Sequence, residues 1–162
     1  MVLEGSSLSP VLSPLQKALH KRHLTIATAE SCTGGLVAAA LTDLPGSSEY
    51  FMGGMVTYAN DAKIGLLGVD EKMLEKHGAV SRQVAAQMAI GARTLFAVDV
   101  AVSVTGVAGP DAEGRKPVGL TFIGACHGDR TLVRRFRWNG GRAANRVASV
   151  EAALALATEI VS

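Results

Sequence analysis

Aromatic side chains make up only 4% of this 162-residue chain. A platform for stacked bases needs several, which argues against a single-strand nucleic-acid binder. No charge sign dominates either: 16 basic against 14 acidic residues leave a net +2, too balanced for nonspecific capture of DNA. Cysteine is scarce, and Cys32 and Cys126 stand far apart without CxxC spacing, so no structural zinc site is expected. His20, His23, His77 and His127 form no HxxxH or HExxH pattern, which disfavours a metal hydrolase. No apolar run approaches the ~20 residues of a membrane helix. The Ser-, Pro- and Gly-rich residues 1–14 lack the charged start and apolar core of a signal peptide. The expectation is a cytoplasmic protein without nucleic-acid or membrane partners.

What the chain does have is Ala, Val and Leu in quantity, with 48% hydrophobic residues. A chain of this length buries roughly two-thirds of its unfolded surface and needs no disulfide or metal to be stable. Residues 1–8 read as a loose tail, and 9–162 as a single domain. Helical spacing covers 10–23, and a short strand follows over 24–29. The Ala-rich stretch 36–44 reads as a buried helix. Residues 51–58 form a second strand, with Gly53-Gly54 marking a bulge. Asn60 is expected to cap a helix over 61–67, and Gly78 to end another over 71–76. Ser81 caps 82–96, whose apolar face is Val84, Ala85, Met88, Ala92 and Leu95. The β-branched run 98–104 is a strand buried on both faces. Strands over 118–126 and 131–138 follow, and a helix over 142–161 turns Val147, Val150, Leu154, Ala157 and Val161 inward. Short links between the last three strands require antiparallel pairing. The fold expected is a three-layer α/β/α sandwich with a mixed, roughly five-stranded sheet. The Ala-rich surface points to a homodimer.

Four places could carry chemistry. The first is the turn Glu30-Ser31-Cys32-Thr33-Gly34-Gly35. A chain entering a helix leaves N–H groups unpaired, the helix dipole adds positive potential, and glycines admit a ligand closely. Such a turn can hold a phosphate, or stabilise an oxyanion while Ser31 attacks a carbonyl. Equally, Ser31 and Thr33 can simply cap the helix. Cys32 reads more readily as a small core residue than as the nucleophile, and Glu30 as either a structural carboxylate or a counter-charge to a cationic ring. The second place is Lys63, able to take a serine proton if burial lowers its pKa, with Tyr58 as a relay. The alternative for both is an ordinary surface position. Strands 1 and 2 could bring Ser31 and Lys63 to one sheet edge. The third is the glycine-rich loop from Thr105 through Gly106 to Gly109, at the end of a buried strand. The fourth is the pair Arg142 and Arg146, one helical turn apart, able to grip a phosphate or to be a solvated face.

Several segments occur in order: Thr28-Ala29-Glu30-Ser31-Cys32-Thr33-Gly34-Gly35, Pro45-Gly46-Ser47-Ser48, Thr57-Tyr58-Ala59-Asn60 with Lys63, Leu67-Gly68-Val69, His77-Gly78-Ala79-Val80-Ser81, Val104-Thr105-Gly106-Val107-Ala108-Gly109-Pro110 and Lys116-Pro117-Val118-Gly119. From about Leu15 onward the chain resembles the CinA C-terminal domain family, the nicotinamide-nucleotide amidases. The resemblance implies hydrolysis of nicotinamide mononucleotide to nicotinate mononucleotide and ammonia, in pyridine-nucleotide salvage, with no metal or organic cofactor. It implies Ser31 as nucleophile, Tyr58 and Lys63 as proton-transfer partners, and nucleotide binding by the 105–109 loop and the arginines of the last helix. It also implies the stand-alone form of the domain. Asp111-Ala112-Glu113-Gly114-Arg115 stands where the family carries further glycines. The residues alone also accommodate a nucleotide-binding module without turnover, a Ser-Lys hydrolase of another amide, or a structural partner protein.

Overall fold

The structure, a computed structural model, describes residues 8–162. The tail expected over 1–8 therefore lies outside the described residues except for Leu8, which is not loose: it is 1% exposed and packs into the core. The elements are α1 (Ser9–Arg22), β1 (Ile26–Glu30), α2 (Leu36–Leu41), β2 (Phe51–Val56), α3 (Asn60–Leu67), α4 (Glu71–His77), α5 (Arg82–Phe96), β3 (Val100–Gly106), β4 (Leu120–His127), β5 (Arg130–Arg137) and α6 (Arg142–Val161). One short 3₁₀ turn, Ser47–Glu49, precedes β2.

The sheet order is β2-β1-β3-β4-β5. β1 is parallel to both neighbours, and β3, β4 and β5 pair antiparallel. Alternation along β3 sorts the core. Val100, Val102 and Val104 face α1, α2 and α6, meeting Leu15, Leu41, Val150 and Leu154. Ala101 faces α5 and meets Met88, Ala89 and Ala92. Helices thus cover both faces, giving a three-layer arrangement.

Three local expectations shift. The register slips so that Ile26 faces Phe51 and Ala27 faces Gly53; Met52 is the extra residue, one step before the glycine pair. Asn60 is the first helical residue rather than the cap, a position taken by Ala59 without a side-chain hydrogen bond. Leu95 is 50% exposed, because the last turn of α5 lays the Phe96 ring over Gly53 of β2 instead. Among the described residues, no helix is long and apolar enough to cross a membrane.

The topology also positions a site. From β1 the chain passes to β2 on one side, and from β3 it passes to β4 on the other. Connections that part in this way leave a crevice at the carboxyl ends of the strands, where open α/β sheets bind ligands.

Candidate active site

β1 delivers Ser31 to this crevice. The Ser31 N–H donates to the Val104 carbonyl at 2.9 Å, and the Thr57 N–H donates to the Glu30 carbonyl at 2.8 Å, so the ends of β1, β2 and β3 are tied together. The turn then reverses through Gly34 at φ +60 and Gly35 at φ +99, the left-handed region that favours glycine. This reversal folds the start of α2 back over Glu30. The Glu30 carboxylate accepts N–H bonds from Gly35, Val37 and Ala38 at 3.1, 3.0 and 2.9 Å. Across the turn, Arg146 donates to the carbonyls of Cys32 at 3.1 Å and Thr33 at 3.0 Å. The Gly34 N–H donates to the Ser31 carbonyl at 3.1 Å. Within the described residues the N–H groups of Cys32 and Thr33 have no hydrogen-bond acceptor. Of the two residues, Cys32 lines the cavity beside Ser31.

Glu30 is 1% exposed and is wholly engaged in capping α2. Both of its oxygens accept main-chain N–H bonds, the position of a structural carboxylate. Glu30→Gln would replace one acceptor oxygen with an amide that cannot accept. Bonds to charged groups contribute about 1.5–3 kcal/mol each, so a loss of roughly 2 kcal/mol is expected in denaturant unfolding. An unchanged midpoint would mean that the cap is not what holds the turn.

Lys63 comes from the first turn of α3. It is 1% exposed, unusual for a lysine. Its Nζ lies 3.1 Å from Ser31 Oγ, 2.8 Å from the Thr57 carbonyl and 3.2 Å from the Tyr58 carbonyl. Carbonyls can only accept, whereas a hydroxyl can also donate. Two N–H bonds go to the carbonyls, and the contact with Ser31 Oγ can run either way: an ammonium donates to the hydroxyl, and a neutral amine accepts from its O–H. Burial pushes the Lys63 pKa down, opposed by the Glu113 carboxylate. Among the described residues Lys63 has no salt-bridge partner. Burial also raises the Cys32 thiol to about 11, which keeps it protonated and unsuited to be the nucleophile.

Tyr58 is 61% exposed. Its hydroxyl accepts from Arg142 Nη2 at 3.2 Å; the group that reaches Lys63 is its main-chain carbonyl. Arg142 Nη1 also donates to the Gly109 carbonyl at 2.7 Å. Asn145, 2% exposed, donates to the Ala108 carbonyl at 3.0 Å and accepts from the Gly140 N–H. The start of α6 is thereby fastened to the 105–109 loop. Thr105 Oγ1 donates to the Ala79 carbonyl at 2.9 Å.

A cavity of about 110 Å³ is lined by Ser31, Lys63, Tyr58, Thr105, Gly106 and Glu113, among others. That volume is on the order of one aromatic ring. A larger depression of about 470 Å³ between α3 and α5 is lined by no titratable side chain. Among the described residues no three His, Cys, Asp or Glu side chains cluster to hold a metal ion.

The structure thus brings Ser31, Cys32, Tyr58, Lys63, Thr105 and Gly106 to one cavity. Thr33, Gly34 and Gly35 shape the turn without lining it. Arg146 is half-buried and bound to the turn, whereas Arg142 is exposed and bound to the Gly109 carbonyl and the Tyr58 hydroxyl. Sequence reasoning missed Asn145 and Glu113. The signal for Asn145 was a polar residue on an inward helix face between two arginines. For Glu113 it was the departure in the 111–115 stretch.

Fold and site together define an α/β protein with a buried serine–lysine pair at the carboxyl ends of parallel strands. The family model for the CinA C-terminal domain matches residues 9–161, and the chain belongs to that family. It is 49% identical over 140 residues to a CinA-like protein of Thermosynechococcus vestitus, covering 85% of this chain and 34% of that one. Against a CinA-like protein of Chlorobium limicola it is 50% identical over 144 residues, covering 85% and 34%. The chain thus spans about a third of the length of these relatives. The crystal structure of competence/damage inducible protein CihA from Agrobacterium tumefaciens superposes with a TM-score of 0.92 at 40% identity, covering 96% of each chain. A CinA superfamily protein from Escherichia coli gives 0.91 at 30% identity, covering 98% of this chain and 94% of that one.

Proposed function

We propose that the chain hydrolyses the carboxamide of nicotinamide mononucleotide, giving nicotinate mononucleotide and ammonia. The observation that carries this reading is the buried Lys63 amine 3.1 Å from Ser31 Oγ. Neutral Lys63 takes the serine proton as Oγ bonds to the amide carbon. The oxyanion is met by the main-chain N–H of Cys32, the turn residue after Ser31 that lines the cavity. Lys63 returns the proton to the leaving nitrogen, the C–N bond breaks and ammonia departs. Water then adds to the acyl-serine ester, giving its proton to Lys63. The C–O bond to Ser31 breaks, and the proton restores the hydroxyl. Arg142, with the main chain at Gly109, takes the phosphate outside the ring-sized cavity. Arg146 acts only by holding the turn, and Tyr58 walls the cavity and steadies Arg142.

The direct test is ammonia release from nicotinamide mononucleotide by the purified protein. Binding without release would leave a nucleotide-binding module and sink the catalytic claim. The pH dependence tests the base separately. Only neutral Lys63 accepts a proton, so kcat/KM should climb as pH rises through the Lys63 pKa, with a midpoint below the ordinary lysine value. A rate flat between about pH 5 and 9 would count against Lys63.

A further inference from the structure

Of the ten residues lining the cavity, only Lys63 and Glu113 carry side chains of formal charge. Three charged side chains around the cavity are hydrogen-bonded to other groups. Arg146 is bound to the carbonyls of Cys32 and Thr33, Arg142 to Gly109 and the Tyr58 hydroxyl, and Glu30 to the start of α2. When Lys63 is neutral, as a base must be, Glu113 is the one formal charge at the cavity wall.

Glu113 is also held by its backbone. Its N–H donates to the Lys116 carbonyl at 3.0 Å and its carbonyl accepts from the Lys116 N–H at 2.8 Å. Between them, Gly114 sits at φ +55, at the first central position of a two-residue hairpin, where type II′ turns take glycine. The 111–115 stretch therefore presents a carboxylate on a fixed turn.

We infer that Glu113 is a specificity determinant of this cavity: its carboxylate selects amides borne on a positively charged ring over neutral ones. The inference rests on the amidase reading for its substrate class. A pyridinium in the ring-sized cavity supplies the positive charge that a neutral Lys63 does not. A neutral ring would leave the Glu113 carboxylate partly desolvated and uncompensated.

The test is calorimetric, in Ser31→Ala to prevent turnover, with and without Glu113→Gln. The ligands are nicotinamide mononucleotide and its reduced dihydropyridine form, which share carboxamide, ribose and phosphate and differ in ring charge. Glu113→Gln should weaken the cationic ligand roughly tenfold and leave the neutral one within about twofold. Equal weakening of both, no change in either, or no binding of either ligand would overturn the inference. Ammonia release by the parent protein is scored apart. Charge-selective binding without release would leave Glu113 in this role and remove the amidase. Release with charge-blind binding would do the reverse.

Discussion

Ser31→Ala should lower ammonia release from nicotinamide mononucleotide by ~10³-fold or more, with the thermal midpoint nearly unchanged. The Ser31 hydroxyl makes a single hydrogen bond, to Lys63, and sits 9% exposed at the cavity. Its removal takes away the proposed nucleophile and opens no void of consequence. The turn persists, because it is held by Glu30 and Arg146 through main-chain atoms. Residual rate from the oxyanion donors and binding is expected. Rescue by Cys32 is not, since burial raises that thiol to about 11. Parent-like release by the variant would remove covalent catalysis by Ser31.

Lys63→Met should reduce release by a similar ~10³-fold while leaving a folded protein. Methionine keeps the length and most of the volume of the stem. It abandons the carbonyls of Thr57 and Tyr58, which lose the amine donor. Orphaned buried acceptors cost about 1–3 kcal/mol, offset in part because a desolvated amine is also removed. A modest fall in the midpoint with a collapse in kcat is therefore the signature of a base. A large fall in stability with proportionate loss of activity would make Lys63 a strut between α3 and β2. The two variants should also be strongly non-additive, since a nucleophile without its base is already disabled.

Much of the framework was legible from local pattern. The β-branched run ending at Val104, the Ala-rich α2 and the amphipathic α5 each follow from periodicity, and the two-residue link at 128–129 forced β4 and β5 antiparallel; the 13-residue stretch 107–119 left the sense of β3 against β4 to the fold. The misreadings are tertiary in origin. Leu95 has the spacing of a buried residue, yet it is half exposed, and the half-buried Phe96 lays its ring over Gly53 of β2. Leu8 reads as tail because nothing adjacent in sequence covers it; the helices on its face of the sheet do.

The site divides in the same way. The sequence by itself determined which residues have reactive chemistry: a serine in a glycine-bearing turn, a lysine after the second strand, and arginines one turn apart. Those are properties of residue type and spacing. Only the tertiary structure decided their roles. Whether Glu30 faces a ligand or α2 depends on the direction of the chain after Gly35. Which of Arg142 and Arg146 is exposed and which is half-buried against the turn depends on how α6 docks on the end of β1. Whether Lys63 is an ordinary surface cation or a desolvated amine depends on β2 lying beside β1, which buries its stem and sets the carbonyls of Thr57 and Tyr58 around its nitrogen. Solvation and hydrogen-bond partners belong to the folded environment, and they decide whether a proton can move.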